Sequence, residues 1–129
     1  MLHHVLISIA SNRDQRHRLE QARAELSEIL NNPTFTSQLW TEPYNTRRSS
    51  ALYLNQLVHG TYPGTMSQLV TALKQLEVKL GRTEQDRLLG IVEIDLDLML
   101  YDHQRMHLSD WDRPFIQQLV HEMDEITHR

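Results

Sequence analysis

One stretch of the sequence decides the fold: Glu93-Ile94-Asp95-Leu96-Asp97-Leu98-Met99-Leu100-Tyr101. Apolar residues alternate in it with aspartates, and a period of two predicts a half-buried β-strand, which we place at residues 91–101. The face predicted to lie under helices carries Ile94, Leu96, Leu98 and Leu100. The opposite, open face of the sheet carries Asp95, Asp97, Met99 and Tyr101.

Patterns on both sides of this strand predict the remaining elements. Apolar and β-branched runs predict strands at residues 5–9, 35–41 and 52–62, with loops at 43–50 and 84–90. Helical spacing predicts three helices. The first covers residues 14–30, and the second runs from a capping box at Thr65 to a left-handed C-terminal cap at Gly81. The third is opened by residues 109–112. The order β-α-β-β-α-β-α indicates an α+β fold. It matches a ferredoxin-like β-α-β-β-α-β sandwich with a mainly antiparallel sheet, two helices on one face and an added C-terminal helix.

Composition limits the classes of protein that the chain represents. Its 129 residues suit one domain, residues 1–129, and 40% apolar with 23% charged residues is typical of a globular protein. A formal net charge of −4 argues against nucleic acid as a partner. The absence of cysteine excludes disulfides and thiolate chemistry. No stretch has the length of a membrane span or the pattern of a signal peptide, so we expect a cytoplasmic protein without a membrane partner.

The two aspartates of the deciding strand need compensation, because like charges on one strand face repel each other. A divalent metal would supply it, since Mg²⁺ prefers oxygen ligands and completes its shell with water and substrate phosphates. The alternative is a solvated strand face whose two charges pair with Lys or Arg. An isolated D-x-D pattern does not decide between these interpretations.

Further motifs accompany the pair, in an order that resembles one enzyme family. The segment Tyr53-Leu54-Asn55-Gln56-Leu57-Val58 resembles a Y-L-N-x-V strand, and Glu77-Val78-Lys79-Leu80-Gly81-Arg82 resembles an E-x-x-L-G-R helix end. The deciding stretch is similar to I-D-L-D-L-L-L-Y. Weaker matches are Ala10-Ser11-Asn12 to G-S-N and Arg113-Pro114-Phe115 to R-x-F. Together these motifs resemble the 6-hydroxymethyl-7,8-dihydropterin pyrophosphokinase family.

The resemblance implies a reaction and roles for several residues. The family transfers a pyrophosphoryl group from ATP to the hydroxymethyl group of a dihydropterin and releases AMP. Asp95 and Asp97 would hold two Mg²⁺ ions across the ATP phosphates. Asn55 would bind the pterin edge, Tyr53 would wall the same pocket and Phe115 would stack on the ring. We therefore expect the open sheet face around these residues to form the main pocket.

The resemblance also implies a nucleotide-binding set on the phosphate side. Arg82 would be catalytic, and Arg113 would face the phosphates with it. Arg87 is the cation that remains in the loop before the deciding strand, and Glu77 either orients Arg82 or is solvated. Phosphoryl transfer depends largely on positioning and charge neutralisation, so metals and cations of this kind suit the chemistry.

The sequence departs from the family where the family carries R-x-x-x-R-W-G-P-R and a later Pro-His-Pro-Arg turn. Leu89 replaces the tryptophan, Val92 replaces the arginine before the strand, and Glu84 replaces a basic residue. The alternative function is therefore a weakened or inactive member that binds a pterin or nucleotide, or a protein partner. The pair Arg47-Arg48 either replaces lost phosphate contacts or is solvated. Histidines such as His107 and His121 follow no metal-binding spacing and are expected to be incidental surface residues.

Overall fold

The computed structural model describes residues 1–43 and 51–128, so the Arg47-Arg48 hypothesis lies outside the described residues. These residues form a six-stranded antiparallel sheet in the order β2-β4-β1-β5-β6, with β3 also paired to β4. The strands are β1 His3–Ser11, β2 Asn31–Phe35, β3 Leu39–Thr41, β4 Tyr53–Tyr62, β5 Asp95–Tyr101 and β6 Gln104–Arg105. The helices are α1 Gln15–Ile29, α2 Met66–Lys79, α3 Glu84–Leu88, α4 Leu108–Trp111 and α5 Pro114–Thr127.

The sheet separates two apolar clusters, which confirms the predicted ferredoxin-like α+β fold. On one face, α1 and α2 bury a large cluster that includes Ile7, Ile9, Leu26, Leu73 and Leu96. On the other face, α5 covers part of the sheet with a smaller cluster of Leu6, Leu57, Met99, Ile116, Leu119 and Met123. The uncovered part of this second face is where a ligand has access. No helix among the described residues is long and apolar enough to cross a bilayer.

Helix α2 begins and ends as its sequence predicts. The Thr65 hydroxyl accepts the backbone N–H of Gln68 at 3.1 Å, and the Gln68 side chain accepts the backbone N–H of Thr65 at 2.8 Å. This reciprocal pair satisfies two amides at the start of the helix. After the helix, Gly81 has a φ of 107°, a backbone conformation that side chains with a Cβ rarely adopt. The chain can therefore turn sharply from α2 toward the sheet.

The prediction of one strand at residues 35–41 is wrong. Strand β2 ends at Phe35 and β3 begins at Leu39, so residues 36–38 between them are not part of a strand. The Thr36 hydroxyl accepts the backbone N–H of Leu57 at 3.0 Å and replaces a ladder bond there. The carboxylate of Glu122 on α5 then accepts both the N–H and the hydroxyl of Ser37, each at 2.7 Å. These side-chain bonds hold the segment against α5 instead of continuing the strand.

The prediction for the segment before β5 also needs correction. Residues 84–90 contain the short helix α3 and not only a loop, and β5 begins at Asp95 instead of residue 91. The backbone of Val92 is bound to Asn12, whose backbone N–H donates to Val92 O at 2.9 Å. The buried Glu93 turns toward Arg13 and Arg18, each at 3.4 Å. Both contacts divert this segment from a regular strand.

A β-bulge changes the predicted faces near the end of β5. Leu6 pairs with Leu100 but Ile7 pairs with Leu98, so Met99 is the extra residue of the bulge. Beyond it, Leu100 packs against the α5 cluster and Tyr101 packs against the α1–α2 cluster. The faces predicted for Leu100 and Tyr101 were therefore wrong, whereas Asp95 and Asp97 lie before the bulge and keep their phase.

Candidate active site

The central strand β1 forms the floor of a cleft on the partly covered face. Ser8 and Ala10 are small residues that alternate with the bulky Ile7 and Ile9 along the strand, and they line this cleft. Ala10 pairs with Asn55 on one side and with Asp95 on the other. Neighbouring strands are about 5 Å apart, so these two side chains stand about 10 Å apart across the floor. That distance leaves room for a ligand that touches both.

The cleft encloses about 260 Å³, and it is lined by residues from four strands (β1, β3, β4 and β5), from α4 and α5, and by Arg113 between these two helices. The predicted site residues that it brings together are Tyr53, Asn55, Asp95, Asp97, Arg113 and Phe115. Pro114 occupies the first turn of α5, where its missing N–H costs no hydrogen bond, and this start places Phe115 at the cleft. The cleft thus combines aromatic and amide side chains with two carboxylates.

The carboxylate pair is tied to the end of α2 through Arg82. The guanidinium Nη1 of Arg82 lies 2.9 Å from Asp95 Oδ1 and 3.1 Å from Glu77 Oε2. Asp97 has no such arginine contact among its described ion pairs, and its side chain is 21% exposed. Burial, followed by the neighbouring charge of Asp95, raises the pKa of Asp97 to about 7. Ionisation of both carboxylates is therefore electrostatically unfavourable unless a cation binds close to Asp97.

Glu77 lies behind this pair and does not line the cleft. Its side chain is 4% exposed, and Oε2 accepts the backbone N–H of Leu96 at 2.8 Å as well as Arg82. Lys74 Nζ approaches the other oxygen at 3.3 Å. Burial raises the pKa of Glu77, while these donors oppose the shift. The geometry of Glu77 fits the orientation of Arg82, the first of the two roles that the sequence left open.

Asn55 presents an acceptor to the cleft because its donors are already used. Its Nδ2 donates to Leu39 O at 3.0 Å and to Thr41 Oγ1 at 2.9 Å. The remaining polar atom of the side chain is Oδ1, which accepts hydrogen bonds. Beside it, burial and the charge of Asp95 raise the pKa of the Tyr53 hydroxyl. The tyrosine therefore stays neutral across the physiological pH range.

Comparison with known proteins agrees with this geometry. The family model for 7,8-dihydro-6-hydroxymethylpterin-pyrophosphokinase (HPPK) matches residues 6–125. The chain belongs to the HPPK family. A search of curated proteins finds no match. At the level of the family, the chain is a transferase of the kinase type in folate biosynthesis, and HPPK proteins depend in general on ATP and magnesium.

The two other arginines of the HPPK-like pattern lie in different surroundings. Arg113 lines the cleft, and its Nε lies 3.0 Å from Asp110 Oδ1. Arg87 is on α3, where its 62% exposed side chain lies 3.6 Å from Glu84. Asn12 holds the segment that follows α3, because its side chain donates to Gly90 O at 2.9 Å and accepts from Val92 N at 2.6 Å. The segment that follows Arg87 is thus fixed to the end of β1.

Sequence reasoning missed several residues at this HPPK-like site. Thr41 and Asp110 line the cleft, and His107 Nε2 lies 3.9 Å from Asp97 Oδ1. Small residues in a bulky strand were a signal for the floor, but nothing local marked His107 or Asp110.

The prediction that this cleft is the main pocket is wrong, because a larger cavity exists. A cavity of about 590 Å³ lies elsewhere, between the sheet and α5, and Leu6, Trp111 and Met123 are among its lining residues.

Proposed function

We propose that the chain transfers a pyrophosphoryl group from ATP to 6-hydroxymethyl-7,8-dihydropterin and releases AMP. One observation carries the proposal. The register Asn55–Ala10–Asp95 sets a neutral, aromatic side and an acidic side of one cleft about two strand spacings apart. A reaction between a planar heterocycle and a metal-bound polyphosphate needs both sides next to each other.

The neutral side suits a pterin ring. Tyr53 and Phe115 offer aromatic surfaces, and flat rings stack favourably on such side chains. Asn55 Oδ1 accepts a hydrogen bond, and the edge of a pterin carries N–H donors. Because the Asn55 amide group is fixed by Leu39 and Thr41, its acceptor is oriented before the ligand arrives. Preorganisation of this kind lowers the entropy cost of binding.

The acidic side suits the phosphates of ATP. The donor set of Asp95 and Asp97 fits Mg²⁺, and these carboxylates would hold two ions that neutralise phosphate charge and align the reacting groups. Arg82, oriented by Glu77, adds a fixed positive charge beside Asp95, and Arg113 adds one at the α5 side. In the reaction, the hydroxymethyl oxygen bonds to the β-phosphorus. The bond from that phosphorus to the α–β bridging oxygen breaks, AMP leaves with the electron pair, and the hydroxyl proton passes to solvent.

Glu77 and Arg87 complete the proposed nucleotide-binding set at a distance from the cleft lining. Glu77 acts through Arg82, because its own carboxylate is occupied by Leu96 N–H, Arg82 and Lys74. Arg87 is exposed on α3, and we assign it to the tail of the nucleotide, where a long cation can exchange Glu84 for a phosphate.

A coupled assay for AMP release tests the proposal on matched proteins. The parent should release AMP only when Mg²⁺, ATP and the hydroxymethyl-dihydropterin are all present. Asp97→Ala should abolish the release, because the metal loses one of its few protein ligands. Glu20→Gln, at an exposed position on α1, is the control and should behave as the parent.

Calorimetric titration with a non-hydrolysable ATP analogue, with and without Mg²⁺, separates binding from turnover. Metal-dependent binding together with AMP release supports the enzyme. Metal-dependent binding without AMP release from any variant would replace it with a pterin- or nucleotide-binding protein. Tight binding of the analogue in the absence of any divalent metal would contradict the role proposed for the aspartates.

A further inference from the structure

A second set of ligating side chains meets at the α4 side of the cleft. Asp97, His107 and Asp110 each offer one ligand atom, and these atoms all lie within 4.8 Å of one another. The Asp97 Oδ1 to His107 Nε2 distance is 3.9 Å. Asp97 comes from β5, whereas His107 and Asp110 belong to the start of α4, so the tertiary fold creates the cluster. We propose that it binds a first-row transition-metal dication, such as Zn²⁺, in preference to Mg²⁺.

Short bonds within the chain hold the α4 half of the cluster. The backbone N–H of Asp110 donates to His107 O at 2.9 Å, which places the two side chains one turn apart. Arg113 Nε donates to Asp110 Oδ1 at 3.0 Å and orients that carboxylate. All three ligating side chains keep solvent access: 21% for Asp97, 45% for His107 and 32% for Asp110. A hydrated metal can therefore reach them and retain water in its remaining positions.

The ligand types decide between metals. Imidazole suits zinc, copper, iron and nickel, whereas carboxylate and water ligands suit magnesium. A catalytic-type zinc site has three protein ligands at about 2.0–2.2 Å, which puts the ligand atoms roughly 3–4 Å apart. The cluster is within about 1–2 Å of that spacing, and rotation of the exposed His107 side chain closes most of the difference.

The proposed transition-metal site shares one residue with the proposed magnesium site. Asp97 belongs both to the cluster and to the carboxylate pair assigned above to magnesium. A transition metal held by Asp97 therefore competes with the magnesium that accompanies ATP. This consequence rests on the proposed function, whereas metal binding by the three side chains does not.

Calorimetric titration with Zn²⁺ alone, in the absence of nucleotide, tests the site. We expect one zinc per chain and at least a tenfold loss of affinity in His107→Ala, with Mg²⁺ binding unchanged. His121→Ala is the matched control, because His121 lies 2.8 Å from Glu125 and is another exposed histidine–carboxylate pair. Loss of zinc in His121→Ala, or unchanged zinc affinity in His107→Ala, would overturn the proposal.

Cobalt absorption provides a readout that does not depend on activity. Co²⁺ bound to the parent should show visible absorption bands that change in His107→Ala but not in Asp95→Asn, since Asp95 is outside the cluster. Bands that respond only to Asp95→Asn would place the metal on the carboxylate pair and refute the site. If the parent releases no AMP but zinc and cobalt still depend on His107, the proposed function fails while this inference stands.

Discussion

Asp97→Asn should make the metal-free protein more stable, although it removes a proposed metal ligand. The Asp97 carboxyl is largely buried beside Asp95, and the same surroundings that raise its pKa make its ionised form unfavourable in the folded state. An amide of nearly the same shape removes the charge without leaving a cavity. The expected gain in folding stability measures the electrostatic cost of keeping both carboxylates ionised in the cleft without a bound metal ion.

The magnitude follows from the pKa shift. The pKa of Asp97 rises from 3.8 to about 7, and each pKa unit corresponds to about 1.4 kcal/mol, so full ionisation costs at most about 4 kcal/mol of folding stability. Because the pKa of Asp97 is higher in the folded state than in the unfolded state, the parent keeps its full folding stability below pH 3.8. It loses this contribution to stability as the pH rises to about 7. Partial exposure of the side chain reduces the effect through solvent screening. We expect the Asp97→Asn advantage to grow by about 2 kcal/mol between pH 5 and pH 8.

Urea unfolding with a chelator at pH 5 and pH 8 measures this difference. Glu20→Gln, which changes an exposed carboxylate, should stay within about 0.5 kcal/mol of the parent at both pH values. Added Mg²⁺ should stabilise the parent but not Asp97→Asn, because only the parent keeps the carboxylate pair. An Asp97→Asn advantage that is equal at the two pH values, or a loss of stability at pH 8, would refute the reasoning.

Three further changes test the surroundings of the cleft. Val92→Arg should increase AMP release in the coupled assay if a missing cation limits turnover; unchanged, robust turnover would show that another cation has this role. Glu77→Gln should lower kcat for AMP release more than it raises KM for ATP, because it frees Arg82 from its buried partner; an effect on KM alone would indicate direct nucleotide contact. Gly81→Ala should lower the free energy of unfolding by about 1–3 kcal/mol in urea, since φ is 107° and the new Cβ would meet the Arg18 guanidinium at 3.3 Å; an unchanged midpoint would contradict this account.

The sequence alone determined the fold class and the acidic half of the candidate site. Alternation in the deciding strand fixed the phase of Asp95 and Asp97, because strand side chains must alternate while the ladder is regular. The capping box at Thr65 and the glycine at position 81 marked α2 correctly, since both depend on interactions within a few residues. Local rules of this kind need no knowledge of the rest of the chain.

Only the tertiary structure decided where local patterns stop. The bulge at Met99, the break around Ser37 and the late start of β5 all arise from partners distant in sequence, such as Glu122 and Asn12. The register of β1 with its two neighbours placed Asn55 opposite Asp95, and the fold brought His107 to Asp97. These contacts depend on long-range pairing and packing, which one-dimensional periodicity does not encode.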